Sequence, residues 1–246
     1  MREFWDRRAS ENALWYIDSS LDFKHPDETA FWEAGEEVLR GSVDHFGLAL
    51  GPGMRVLEIG CGIGRVTRAL AKRGAGVVGT DVSEQMIERG KTALQDLSNV
   101  TLMAGNGRDL SKFADHSFDA VFSFVTFQHI PDPEVTCNYI REMGRALVPG
   151  GWALFQVSQH PDWHRREFWR RRWLWGRWAS VARLGRRPSR CLDPQWLGST
   201  VDRARLLSAL SAGDLELARI EGEGTLFCWV LARPRAAVQV GQGTTA

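Results

Sequence analysis

The stretch from Val56 to Thr67, VLEIGCGIGRVT, places Gly60, Gly62 and Gly64 between an apolar run and a helix-like run. Glycines at that spacing let the backbone turn sharply and come close to a ligand. The helix that starts there turns unpaired N–H groups and the positive end of its dipole toward an anionic group. A second apolar run, GVVGTD, ends at Asp81, whose carboxylate can accept hydrogen bonds from both hydroxyls of a ribose. These residues describe a nucleotide-cofactor site, and two cofactor classes satisfy that much. A nicotinamide dinucleotide is usually met by G-x-G-x-x-G, whereas this chain has G-x-G-x-G preceded by Glu58. Further on, His129 in FQHIPD is the side chain best suited to moving a proton near neutral pH.

The surrounding elements must position these groups. RVLEIG, GVVGTD, NVTLMA, FDAVFSFV and WALFQV read as buried strands. They alternate with helices in GRVTRALAKRG, SEQMIERGKTAL and DPEVTCNYIREMGRAL. Ser83 is an N-cap for the second of these helices. Asp132 followed by Pro133 starts the third. Upstream, Phe31, Gly35, Val38, Leu39, Ser42, Val43 and Phe46 share one helical face. Downstream, a helix in DRARLLSALSAG precedes two strands, LELARIE and TLFCWVLA, joined by Gly-Glu-Gly. A pair joined so tightly has to be antiparallel, because parallel strands need a long crossover. The alternation predicts an α/β, doubly wound, mostly parallel sheet with ligands at the carboxyl ends of its strands.

The 246 residues suffice for a sizeable core, and 43% hydrophobic with 25% charged residues is a globular composition. A net charge of +1 argues against a generally basic nucleic-acid binder, but it hides an asymmetry. Between Pro161 and Arg190 ten arginines face only Asp162 and Glu167, a local +8 that leaves −7 on the rest. The four cysteines are far apart and form no C-x-x-C pair, so a reduced, cytoplasmic setting is expected. No signal-peptide core or membrane-length apolar run is visible. No acidic cluster argues for a metal.

The motifs VLEIGCGIGRVT, VVGTDVSEQMI, GNGRDL, FDAVFSFVTFQHIPDP and RALVPGGWALFQV, in that order, resemble those of class I S-adenosylmethionine-dependent methyltransferases of the small-molecule type. The resemblance spans roughly Arg55 to Val157. It implies a seven-stranded Rossmann-like methyltransferase fold with an antiparallel C-terminal hairpin, and S-adenosylmethionine as cofactor. By resemblance, Glu58, Gly60, Cys61, Gly62 and Gly64 line the methionine end of the cofactor. Asp81 holds the ribose, Val82 and Met86 lie beside the adenine, and Ser123 and Phe124 lie near the sulfonium. Asn106, with Gly107 and Arg108, stands where the family often has Asp, and its amide oxygen can still accept from the adenine amino group. For Cys61 the residue itself suggests a small buried side chain in the turn rather than a nucleophile.

The resemblance also divides the chain into an N-terminal helical lid or cap (1–50), a core (51–235) and a flexible tail (236–246). Residues 158–198 form an acceptor-side, Arg/Trp-rich insertion in that core. In the lid, Trp15 and Tyr16 are candidate acceptor contacts, with ordinary aromatic packing as the alternative. His129 is a candidate general base for a hydroxyl acceptor, against a local role in shaping its loop. In the insertion, whose apolar residues form no single helical face, Trp163, His164, Arg166, Trp169 and Arg170 are candidate acceptor contacts. The expected reaction is methyl transfer to oxygen or nitrogen of an anionic or aromatic small molecule, in natural-product or saccharide metabolism. The alternatives are an RNA methyltransferase, a cofactor-binding protein without transferase activity, and a nicotinamide oxidoreductase.

Overall fold

The computed structural model describes residues 1–165 and 197–236. Among the described residues seven strands form one sheet in the order β3-β2-β1-β4-β5-β7-β6. They are β1 (Arg55–Ile59), β2 (Gly76–Asp81), β3 (Val100–Ala104), β4 (Phe118–Ser123), β5 (Leu147–Val157), β6 (Leu215–Glu221) and β7 (Cys228–Pro234). Neighbours from β3 through β5 pair in parallel, while β7 runs antiparallel to both β5 and β6. The chain therefore crosses over the sheet to lay β6 at the edge, then returns β7 into the space beside β5.

The helices among the described residues are α1 (Arg2–Ile17), α2 (Glu28–Leu39), α3 (Arg65–Lys72), α4 (Glu84–Ala93), α5 (Pro133–Ala146) and α6 (Arg203–Ala212). Four of them start on an acid or a hydroxyl that accepts from a first-turn N–H. These caps are Asp27 for α2, Ser83 for α4, Asp132 for α5 and Asp202 for α6. α2 continues through one wide turn, Arg40–Asp44, which carries the expected apolar face on to Val43 and Phe46.

Strand alternation sends the core to both faces of the sheet. Leu57, Ile59, Val121 and Phe155 pack with Ile140 and Met143 of α5 and Leu206 and Leu210 of α6. Val56, Phe122 and Leu154 pack on the other face with Leu39, Val66 and Leu70. Burying each such Leu or Phe contributes about 1.5–3 kcal/mol. Gly35 allows α2 to lie against the start of α3, since a Cβ there would stand 2.4 Å from the Arg65 carbonyl oxygen.

Two boundaries differ from the sequence expectation. β5 begins at Leu147, before Pro149-Gly-Gly, because Leu147 pairs with Phe118 ahead of a register shift. β7 begins at Cys228, and Thr225 stays in the turn, donating its backbone N–H and hydroxyl to the Gly222 carbonyl.

Candidate active site

Strand order reverses between β1 and β4, and a cleft opens there at the carboxyl ends of β1, β2, β3 and β4. The β1–α3 turn forms one wall. Gly60, Gly62 and Gly64 all have positive φ (76°, 56° and 92°), which L side chains rarely adopt. The turn is also crowded: a Cβ at Gly60 would stand 2.1 Å from Thr126 Oγ1, and one at Gly62 2.7 Å from Ile17 Cδ1. The turn is held by Gly60 and Cys61, whose N–H groups donate to the Thr80 carbonyl at 2.7 and 3.1 Å. Among the described residues no side chain caps α3, which leaves its first N–H groups for a ligand.

Asp81 closes this wall at the end of β2. Its Oδ2 accepts the Gly62 N–H at 3.0 Å and its Oδ1 the Ser83 N–H at 2.8 Å. Burial raises its pKa, while those two N–H bonds act in the opposite sense. Each carboxylate oxygen keeps a further lone pair, so the pinned group can still accept from two hydroxyls. Val82, Met86 and Gly107 line the cleft beside it.

The opposite wall comes from β4 and the short helical turn Phe127–His129. Phe124 and His129 line it, with Thr126 between them. Ser123 lies behind, fully buried, and donates its hydroxyl to the Ile59 carbonyl at 2.9 Å. Phe124 stacks on Trp229 of β7 with centroids 5.8 Å apart. Val125, also on the wall, has φ 54°, a left-handed conformation that is costly for a β-branched side chain.

α1 forms the roof: Met1, Trp5, Tyr16 and Ile17 all line the cleft. Trp5 meets the His129 ring edge-on at 5.5 Å. The helix bends at Asn12 (φ −167°, ψ 90°), whose side chain caps the next turn through Trp15 N and donates to the Phe23 carbonyl. Tyr16 donates to Glu11 and accepts from Arg8, and burial first, then that Glu11 bond, pushes its pKa up to about 12. Trp15 packs on Tyr16 and Phe23 and lies off the cleft wall.

Other candidate residues sit behind the wall. Glu58 is buried and accepts the Thr67 hydroxyl, and burial lifts its pKa to about 7. Cys61 is buried against Gly79, and burial raises its thiol pKa, the state of an inert packing residue. Asn106 accepts from Arg108 N and Asp109 N and donates to Asp109 Oδ1, so its amide closes its own loop. Arg108 lends its carbonyl to the Asn138 amide at 2.9 Å. Neither Asn106 nor Arg108 lines the cleft.

The chain leaving the insertion, at Gly198 and Ser199, leans on the His129 turn. Gly198 lies so close that a Cβ would overlap the Gln128 carbonyl, and the Ser199 hydroxyl donates to the Ile130 carbonyl at 2.6 Å. His164 joins the two ends, meeting the Leu197 carbonyl through Nδ1 and the Ser158 hydroxyl through Nε2, and burial lowers its pKa. Trp163 packs on His160. Neither Trp163 nor His164 lines the cleft, and Arg166, Trp169 and Arg170 lie outside the described residues.

Two lining residues lack any local sequence signal. Arg65, the first residue of α3, is buried and pairs with Asp18 at 2.5 Å, while its Nε has no partner among the described residues. Tyr139 reaches the cleft from α5. Among the described residues no group of three or more His, Cys, Asp and Glu could hold a metal ion. No described helix is long and apolar enough to cross a membrane.

A glycine turn, a pinned acid on the next strand and a sheet closed by an antiparallel β7 define a class of nucleotide-cofactor proteins built on an open α/β sheet. Within it, residues 57–155 match the family described as Methyltransferase domain. The chain is 32% identical over 113 residues to the ubiquinone biosynthesis O-methyltransferase of Neisseria meningitidis, covering 44% of this chain and 46% of that one. It is 33% identical over 153 residues to the 2-methyl-6-phytyl-1,4-hydroquinone methyltransferase of Synechocystis, covering 62% and 41%. It thus spans about half the length of these curated relatives or less. A Methanosarcina mazei S-adenosylmethionine-dependent methyltransferase superposes with a TM-score of 0.56 at 23% identity, covering 79% of this chain and 98% of that one. That likeness concerns the fold.

The residues present fit the cofactor of this family, S-adenosylmethionine. The glycine cradle has no room for side chains, Asp81 keeps acceptor lone pairs for hydroxyls, and Arg65, on the lining, has an Nε donor with no partner among the described residues.

Proposed function

We propose that this protein transfers a methyl group from S-adenosylmethionine to an oxygen or nitrogen of a small aromatic acceptor. The observation that carries the reading is the pinned Asp81 carboxylate sharing one cleft with the rings of Phe124 and His129 on the opposite wall and Trp5 in the roof. Asp81 holds the ribose hydroxyls, the glycine turn and Arg65 hold the methionine end, and Val82 and Met86 flank the base. The bound cofactor supplies an electrophilic methyl on a sulfonium centre.

The chain's own part is positioning and proton handling. Holding the nucleophile in line with the methyl group supplies most of the acceleration. The aromatic wall orients a flat ring, and α1 over the cleft excludes water. His129 takes the proton of a hydroxyl acceptor on its imidazole. An aromatic alcohol suits this wall, and one relative is named as an O-methyltransferase of ubiquinone biosynthesis, which supports oxygen as the accepting atom.

The test is a thermal-shift comparison of S-adenosylhomocysteine with NAD, then labelled methyl transfer across phenolic, amine and saccharide acceptors. Stabilisation by the first ligand alone and labelling of a phenol are expected, with His129→Gln lowering turnover about 100-fold or more. No shift with S-adenosylhomocysteine would overturn the cofactor reading. Unchanged turnover of His129→Gln across pH would remove the base.

A further inference from the structure

Tyr139 is buried to 6% exposure and lines the cleft alongside Asp81, Val82, Gly105 and Gly107. Its ring is fixed against Phe127, with centroids 5.7 Å apart, and among the described residues no protein group hydrogen-bonds its hydroxyl. The hydroxyl oxygen itself keeps accessible surface and opens on the cleft. A phenol fixed this way presents both a donor and an acceptor to a ligand that fills the cleft.

Its neighbours identify which part of the ligand it meets. The next residue back, Asn138, donates to the Arg108 carbonyl and ties α5 to the 105–109 loop. Tyr139 thus lines the cleft from a helix tied to that loop, with its ring on Phe127. The loop's own amide, Asn106, is committed to Arg108 N, Asp109 N and Asp109 Oδ1, and it does not line the cleft. Apart from Asp81, the residues named beside Tyr139 are Val82, Gly105 and Gly107, which offer apolar surface and backbone groups only. An adenine in that position presents a 6-amino donor beside ring-nitrogen acceptors, and a phenol can accept from the first and donate to the second. Burial, with Asp109 and Asp81 adding to it, raises the Tyr139 pKa, so the hydroxyl keeps its proton.

We infer that Tyr139, rather than Asn106, makes the side-chain hydrogen bond that recognises the amino edge of the adenine. This rests on the reading that the cleft takes S-adenosylmethionine.

A double-mutant cycle tests it by calorimetry on the full chain. The pairs are wild type and Tyr139→Phe, each with S-adenosylhomocysteine and with its analogue carrying hydrogen in place of the 6-amino group. Tyr139→Phe is expected to weaken S-adenosylhomocysteine about five- to tenfold. The analogue should bind both proteins within about twofold of each other, because the contact is then already absent. Equal affinities of the two proteins for S-adenosylhomocysteine, or an equal loss with both ligands, would overturn the inference. So would a raised KM for acceptor with unchanged cofactor affinity, which would place Tyr139 on the acceptor. Should wild type bind neither ligand, the cofactor reading itself fails, a result distinct from the others.

Discussion

Asp6 of α1 reaches the N-terminus of α4, where its Oδ1 accepts from the Ser83 hydroxyl at 2.6 Å and from the Gln85 N–H at 3.2 Å. Arg2 adds an ion pair to Glu84 and donates to the Gly105 carbonyl at 3.1 Å. The roof of the cleft is thus fastened by polar contacts beside Asp81 as well as by Ala9 and Ala13, which pack with Phe31, Ile63 and Met86. Asp6→Ala removes an acceptor of two hydrogen bonds, each worth about 0.5–1.5 kcal/mol net. Faster tryptic cleavage after Arg7 or Arg8 is expected, together with roughly five- to tenfold weaker binding of S-adenosylhomocysteine. Asp6→Asn, which keeps one acceptor oxygen, should lie between. Identical cleavage and affinity in all three proteins would show that α1 is held by something else.

Glu58 gives a pH signature with a definite sign. Burial raises its pKa from 4.5 to about 7, with Asp81 acting in the same sense and with the Thr67 hydroxyl and Arg65 opposing. Between those values the folded state binds more protons at this site than the unfolded chain does. This group's contribution is therefore most favourable below about pH 4.5 and is lost as pH rises to about 7. Glu58→Gln keeps the oxygen that accepts from Thr67 and removes the titration. Urea melts without cofactor should show the variant gaining roughly 1–3 kcal/mol on wild type between pH 5 and pH 8. A stability difference that stays constant with pH would contradict this.

The features legible in the sequence are those whose causes are local. The Gly60-x-Gly62-x-Gly64 turn follows from backbone that only glycine adopts easily, the Asp132-Pro133 start of α5 from capping, and the antiparallel hairpin from its short connection. α1 had no such signal, because its buried residues include small alanines, Ala9 and Ala13, and its polar anchors, Arg2 and Asp6, meet partners far off in sequence. Arg65 and Tyr139 read as ordinary helix residues, and only the packing of α2 on α3 and of α5 on the 105–109 loop brings them to the cleft. Asn106 was visible as a departure from an acid. Its engagement in its own loop depends on Asp109 lying within 2.7 Å, which one-dimensional spacing does not reveal.

Val125 was also invisible from sequence, and its backbone suggests that the cleft wall is held under strain. At φ 54° its Cβ is forced close to the backbone, whereas Asn tolerates this region well. Such strain costs about 1–3 kcal/mol and is kept where the surroundings impose it. Here the imposing contacts are the Ser123 and Thr126 hydroxyls, both donating to the Ile59 carbonyl from either side of Val125. Val125→Asn should relieve part of this strain and raise Tm by roughly 2–4 °C for a chain of this size. The same change replaces an apolar patch of the wall with an amide, so transfer to an aromatic acceptor should slow while S-adenosylhomocysteine affinity changes less than twofold. Calorimetric melts with parallel kinetics check both halves. A lowered Tm would mean that Val125 packing outweighs its backbone strain, and unchanged turnover would place the acceptor away from this wall.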